Sequence, residues 1–533
     1  MHRGDGDYDV IVIGGGINGA GIARDAAMRG LTVLLLEARD FGSGTSSWSS
    51  RLIHGGLRYL EYYDIPLVYE SLHERRRLRR IASHLVKPLR ITIPVYRGGR
   101  RPKWLVRLGM LAYDLLSLGK SLPRHRMLSR DELLDIEPSV NPEGLRGAAQ
   151  YYDGQVTYAE RLVIENIIDA AAAGADVRNY SPVTSLDFGE DGTHTVVYQH
   201  NGNDLRVTSS CIVNAAGPWV DRVLDKSNAP MPRLMGGTKG SHIVTGLFDG
   251  APGDAFYVEA ASDARPIFIL PWNDQYLIGT TDIRYDGDPG DATASSEEIS
   301  YLLDATNAVF PSARLSVRDI HYAYAGVRPL PYQADGPESA ITRRHIIHRH
   351  DGRAHGMLSV VGGKLTTYRH LAEQVVDCVE QARGRNKTSC ETGTTLLPGA
   401  RACDEAQRAL ASHGEISDEG GQRLLSVYGG CSPKVLSLMR EDPALAATLD
   451  AGGTSYAAEV VYAIRHEYAR TLADIVHRRL MIGLSPDLGE AAWPEVAALA
   501  ARELGWSDET AARQILDLEM YRNRLRASLD TPV

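Results

Sequence analysis

The chain has 533 residues, 43% of them hydrophobic and 23% charged, with a formal net charge of −9. Its length predicts two to four domains with ample cores, and its acidic balance gives no reason to expect nucleic acid as a partner. Five scattered cysteines with no C-x-x-C pair point to a reducing compartment and argue against an iron–sulfur cluster or structural zinc.

In chain order, Val10–Ile13 is an all-apolar run of the kind a parallel strand buried on both faces requires. Gly14, Gly16 and Gly19 follow as G-x-G-x-x-G where a strand must turn into a helix. The first permits the tight turn, the second lets backbone approach a pyrophosphate, and the third allows close helix–strand packing. A helix is predicted from about Asn18 to Arg29, stopping at Gly30. A second buried strand, Thr32 to Leu36, ends in Glu37, placed to accept hydrogen bonds from a ribose. Strand, glycines, helix, strand and acid in register predict a dinucleotide site. Only four apolar residues run together before Gly14, so no signal peptide is expected. No later run reaches transmembrane length, which places the protein in the cytosol or on the cytosolic side of a membrane.

Gly42 to Ser50 is rich in Gly and Ser and reads either as a linker or as a ligand loop. Arg51 to Tyr59 (Arg-Leu-Ile-His-Gly-Gly-Leu-Arg-Tyr) mixes cations, imidazole and phenol around a Gly-Gly pair, which favours ligand contact. Asp64 to Leu85 is predicted helical, with Glu70, Glu74 and several arginines on a polar face. Arg97 to Lys103 is a basic loop. Trp104 to Leu118 reads as an amphipathic helix, either on a membrane surface or against the protein's own core.

Tyr158 to Ala173 is predicted as a helix and Val177 to Leu186 as a strand. The turns Asp191-Gly192 and Asn201-Gly202 predict an antiparallel meander. Cys211 to Ala215 is a further buried strand leading into Gly217. Residues 230 to 345 read as mostly β, interrupted by a helix at Ser296 to Val309. Strand Met357 to Val361, then Gly362-Gly363, then helix Tyr368 to Ala382 again set backbone N–H groups toward an anion. Thr394 to Ala400 reads as a linker, and a separate helical domain follows. In it Ser432-Pro433 looks like a cap with Pro behind it, Ala457 to Leu480 is one long helix, and a last helix starts at Ser507. His466-Glu467 lacks the second histidine of a zincin helix, so no metal is expected. The fold class is therefore α/β: a discontinuous Rossmann-like dinucleotide domain (1–75, 150–225, 346–390), an interleaved β-rich substrate domain (76–149, 226–345) and a C-terminal α-helical domain (396–533).

The motifs Ile13-Gly-Gly-Gly-Ile-Asn-Gly-Ala-Gly21, Leu52-Ile-His-Gly-Gly-Leu-Arg-Tyr59, Lys239-Gly-Ser-His-Ile-Val244, Ile278-Gly-Thr-Thr-Asp282, Gly326-Val-Arg-Pro-Leu330 and Gly363-Lys-Leu-Thr-Thr-Tyr368 occur in this order. With them the chain resembles, over essentially its whole length, the FAD-dependent, quinone-linked glycerol-3-phosphate dehydrogenases of the D-amino-acid-oxidase-like flavoproteins. It departs at Arg51, where some relatives have Lys. The tail lacks calcium-binding loops and cysteine pairs, which leaves the aerobic bacterial type.

The resemblance implies FAD as cofactor, held by Gly14, Gly16, Asn18, Gly19, Glu37, Thr45, Ser46, Ser50, Arg51, Gly217, Gly363, Leu365 and Thr366. It implies that glycerol 3-phosphate gives a hydride to the flavin and leaves as dihydroxyacetone phosphate. Arg58 and Arg328 suit phosphate and hydroxyl recognition, because a guanidinium offers an oxyanion two donors at once. Lys364 is a point charge beside flavin and substrate, and Tyr59 is a donor to the phosphate. His54 and His242 are available as proton acceptors; His242 also fits a satisfied core histidine, and an alkoxide stabilised by Arg328 and Lys364 is the alternative to a base. A membrane quinone is the implied electron acceptor, with an oxidase that makes hydrogen peroxide as the rival, and an NAD-dependent dehydrogenase or a flavin sensor as weaker ones. A homodimer peripheral to the inner face of the cell membrane is expected, with a tail that covers the protein, pairs two copies or shares the membrane face.

Overall fold

The computed structural model describes residues 6–117, 122–334 and 341–529, without the side chains of Arg58, Glu61 and Tyr62. Val10–Ile13 is wholly buried and sits inside a six-stranded sheet. The order is Ile346–Arg349, Met357–Val361, Ile212–Asn214, Val10–Ile13, Val33–Leu36, Asp176–Arg178. Every pairing is parallel except the one made by Ile346–Arg349. Strands covered on both faces read as unbroken apolar runs, and these do. Helix Ile17–Met28 is short of bulk on purpose of packing: a Cβ on its Gly21 would stand 2.8 Å from the Tyr368 ring. Its glycines and alanines let helices Ala159–Ala172 and Tyr368–Ala382 lie close on either side.

The meander forms from Val183–Phe188, His194–His200 and Asn203–Ser209, with Asp7–Tyr8 parallel on its edge. The single strand expected over Val177 to Leu186 is two strands in two sheets. Between them Tyr180 takes φ +52, and Ser181 N donates to Glu37 O at 2.7 Å, so the chain crosses beside Glu37.

A ten-stranded sheet runs Ile283–Arg284, Thr238–Thr245, Gln275–Gly279, Pro266–Trp272, Ala255–Glu259, Val86–Tyr96, Leu145–Val156, Leu52–Ile53, with Ile320–Arg328 on the second strand and Arg126–Leu128 on the seventh. Helix Ser296–Val309, closed at its start by the Ser295–Glu298 capping box, packs on one face. Alternation sends Ile243 to that core and Val244 to the opposite one. The expected boundaries at 75/76 and 149/150 cut through helix Ile65–Ile81 and strand Leu145–Val156, so the two domains share continuous elements.

Helix Ile65–Ile81 does not present Glu74 to solvent. Glu74 is buried and accepts from Arg369 Nε and Nη2 at 2.6 and 2.7 Å. Helix Lys103–Leu116 has two apolar faces: Val106, Met110 and Tyr113 turn inward, while Trp104 (68% exposed), Leu105, Leu108, Leu111 and Leu115 (66%) turn outward; Leu118 lies outside the described residues. Among the described residues no helix is long and apolar enough to cross a membrane.

The tail is helical, but it is not loosely attached. Thr394–Ala400 is packed rather than a free linker: Leu397 is buried, its N donates to Ile81 O at 2.8 Å, and Arg24 Nη2 donates to Thr395 O at 3.0 Å. The long helix expected from Ala457 to Leu480 stops at His466. Glu467 turns inward to Arg161, with two contacts of 2.6 Å, and the chain resumes in a single π turn, Asp474–Arg479. Ser432 lies inside its helix instead of capping it, because the 3₁₀ turn Gly429–Cys431 runs straight into Ser432–Glu441. The last helix, Asp508–Arg526, starts from the Ser507 cap as expected.

Candidate active site

A cavity of about 1120 Å³ runs from the end of Val10–Ile13 to the ten-stranded sheet. Its dinucleotide end is built on the glycine turn. Gly14 takes φ +105, and a Cβ there would stand 2.7 Å from Ala215 O. Gly16 lines the cavity, but Gly19 does not. A Cβ on Gly19 would fall 1.8 Å from Gly14 O, so this glycine is required by the close packing of the turn. Ser46 reaches the helix start from the Gly/Ser loop, accepting from Ile17 N at 3.0 Å. Thr45 Oγ1 donates to Val327 O at 2.8 Å, tying the same loop to the large sheet. The Gly42 to Ser50 stretch is thus packed against both sheets and lines the cavity, unlike a free linker.

Glu37 accepts from Gly15 N at 2.6 Å and Arg39 N at 2.8 Å, one on each oxygen. Burial pushes its carboxyl above the usual range, against the pull of these two N–H groups. Each oxygen keeps a lone pair for a further donor. Gly217, at φ +58, and Gly363, at φ +98, lie on the wall with Leu365 and Thr366. Asn18 spans the cavity to Gly362 O at 3.4 Å.

The other end gathers imidazoles and cations. His242 Nε2 is 2.8 Å from Ser50 Oγ, and its ring stacks on Tyr324 at 4.9 Å. Burial, with Arg328 and Arg51 nearby, pushes this imidazole down to about 3. His54 is pushed down to about 4, by burial against the opposing pull of Asp153. Both rings are neutral near pH 7 and therefore able to accept a proton. Arg328 donates to Asp282 Oδ1, Thr280 Oγ1 and Thr281 O, each at 3.0 Å. Burial raises the Asp282 carboxyl, but Arg328 and Arg343 outweigh it and hold the group below the usual range. Lys364 Nζ lies 3.7 Å from the centroid of the Tyr59 ring and is buried. Burial lowers that ammonium, while Tyr59, Glu70 and Asp64 oppose the shift.

Two expectations are met differently. Arg51 lines the cavity, yet its guanidinium is spent on Glu160, at 2.7 and 2.8 Å, over the Trp272 ring. Through that pair it braces the loop on the cavity wall. The Arg58 backbone lies in the 3₁₀ turn Leu57–Tyr62, and its side chain lies outside the described residues. Sequence reasoning did not single out Arg343, Arg344 or Phe268, all on the cavity wall. Arg343 and Arg344 stand in the run Thr342-Arg-Arg-His-Ile346, where a pair of arginines reads as surface. Only the fold carries them to Asp282 and Asp64.

Residues 9–369 match the family described as FAD dependent oxidoreductase, and residues 390–511 match the C-terminal domain of alpha-glycerophosphate oxidase. The chain is 45% identical to a glycerol-3-phosphate dehydrogenase of Synechocystis sp., with 96% of each chain covered. It is 34% identical to an aerobic glycerol-3-phosphate dehydrogenase of Staphylococcus aureus, over 89% of this chain and 86% of that one. A solved glycerol-3-phosphate dehydrogenase of Bacillus halodurans, complexed with FAD, superposes with a TM-score of 0.79 at 28% identity, covering 99% of this chain and 97% of the other. The cavity fits that cofactor. Two buried polar atoms without partners, Asn18 Oδ1 and His242 Nδ1, belong to residues on its wall, and Gly14 and Gly16 present bare backbone to it. FAD is the cofactor, and the chain belongs to the family of FAD-dependent glycerol-3-phosphate dehydrogenases.

Proposed function

We propose that the protein oxidises sn-glycerol 3-phosphate to dihydroxyacetone phosphate and delivers the electrons to a membrane quinone. The observation that carries the first half is the meeting of Arg328, Arg343 and Lys364 with two neutral imidazoles at one end of the dinucleotide cavity. A phosphate dianion needs fixed cations, and the C2 hydroxyl needs a proton acceptor and charge stabilisation as its C–H bond breaks. Arg328, with two nitrogens already oriented by Asp282 and Thr280, binds the phosphate end together with Arg343. Lys364 and Tyr59 face the hydroxyl, and His242 takes its proton. Bound FAD supplies the two-electron acceptor for the hydride leaving C2. The products balance: one hydride and one proton leave the alcohol, and the ketone remains.

The outward face of helix Lys103–Leu116 supports the quinone. It adjoins the turn Leu57–Tyr62 and helix Ile65–Ile81, where Tyr63, Ile65 and Tyr69 are also exposed. Tyr63, Asp64 and Leu67 line the cavity. The cavity therefore opens beside an apolar surface, flanked by the exposed cations Arg97, Arg100 and Arg107. Such a face suits peripheral contact with the anionic inner leaflet of the cell membrane. Oxygen as acceptor is the second reading, favoured by the match of residues 390–511 to an oxidase domain.

The test is an anaerobic spectrum of the purified protein. Flavin absorbance should bleach with glycerol 3-phosphate and not with glycerol; equal bleaching by both removes the phosphate clamp. In air, hydrogen peroxide formed in proportion to product would replace the quinone with oxygen.

A further inference from the structure

The tail sends two adjacent arginines into the cofactor domain at one acid. Arg478 Nε contacts Asp40 Oδ2 at 2.5 Å, and Arg479 contacts Oδ2 and Oδ1 at 2.9 and 2.8 Å. All three residues are buried. Both arginines come from the π turn Asp474–Arg479, a rare conformation often found at functional positions. The turn is itself tied down, since Tyr180 OH and Arg478 Nη2 both donate to Asp474 Oδ1 at 2.7 Å.

Asp40 stands between the two backbone segments that seat the dinucleotide. Glu37 lies just before it. Just after it, Gly42 N donates to Gly15 O at 3.0 Å, and the Phe41 ring packs so tightly under the glycine turn that a Cβ on Gly15 would meet it at 2.5 Å. Phe41 in turn meets Tyr468 of the tail edge to face, at 6.0 Å. Farther along the same loop, Trp48 on the cavity wall lies 6.1 Å from Tyr521 of the last helix. The tail thus grips the 40–48 loop at both ends.

We propose that the C-terminal helical domain is a cofactor-retention device, in which Arg478 and Arg479 act through Asp40 as positioning residues for the loop that closes over FAD. Burial raises the Asp40 carboxyl, but Arg479 and Arg478 outweigh it, so the acid stays charged and the grip is ionic. Arg161–Glu467 is a natural control. It joins the tail to helix Ala159–Ala172 by an equally buried ion pair, and neither residue lines the cavity.

The experiment titrates FAD onto apoprotein by quenching of flavin fluorescence and measures the thermal midpoint of the apoprotein in parallel. Asp40→Asn should raise the FAD Kd by tenfold or more. Arg478→Lys and Arg479→Lys keep the charge and lose the fork; each should raise Kd by a smaller factor and serves if Asp40→Asn does not fold. Arg161→Lys should lower the midpoint and leave Kd within twofold. An unchanged Kd in both lysine variants overturns the proposal. So does an equal rise in Arg161→Lys, which would mean that Kd follows general stability.

Discussion

Lys364 Nζ stands 3.7 Å from the centroid of the Tyr59 ring, a buried ammonium on an aromatic face. A buried cation left in that state costs free energy unless an anion joins it. The pair is poised for an oxyanion. Lys364→Met and Arg328→Ala should each lower kcat/KM by about two to three decades, from the roughly 3–5 kcal/mol of a broken buried ionic contact. Flavin content per protein, read from absorbance, should stay at the parent level. Wild-type rates in either variant would remove that residue from substrate recognition.

Glu37 holds Gly15 N and Arg39 N and faces the dinucleotide end of the cavity. A charge-assisted contact to ribose is worth roughly 1.5–3 kcal/mol, so Glu37→Ala should weaken FAD by about one to two decades in Kd. Equilibrium dialysis reads the change. Retention equal to the parent would move the adenosine away from Glu37.

Trp104 and Leu108 are more than half exposed, so glutamate at both should cost little stability. The parent should sediment with anionic vesicles at low salt and be partly released at high salt. Trp104→Glu with Leu108→Glu should abolish sedimentation and slow quinone reduction, while a soluble dye is reduced at the parent rate. Equal loss with both acceptors would place the membrane face elsewhere.

His477 is buried in the tail, its ring tilted against Tyr521 at 4.5 Å, with its Nε2 unpartnered. Burial, aided by Arg478, pushes its imidazole down to about 3. Unfolding lets the ring return to its usual value of about 6.5 and take up a proton. The contribution of His477 to stability is therefore level above pH 6.5 and is lost as pH drops toward 3, by about 1 kcal/mol between pH 6 and 5. His477→Phe should reduce the acid-side slope of the unfolding free energy by about that amount, measured by urea titration. An unchanged slope would mean that the ring is not neutral in the folded protein.

Local chemistry alone determined much of this protein. The Val10–Ile13 run, the helix Ser296–Val309 and the pairing of Met357–Val361 with the helix from Tyr368 stand where periodicity and turn residues put them, because each depends on neighbours a few positions away. Most of the chosen site residues line one cavity for the same reason: glycine turns and strand ends point at ligands by construction. The destinations of charged side chains were decided only in three dimensions. Glu74 looks like a solvated helix acid until Arg369 meets it, Arg51 carries no sign in its own stretch of its pairing with Glu160, and Glu467 breaks a predicted helix to reach Arg161. Each partner lies more than a hundred residues away. A buried charge must find its counter-ion wherever the chain brings one, and that place is a property of the tertiary fold, with no trace in the local pattern.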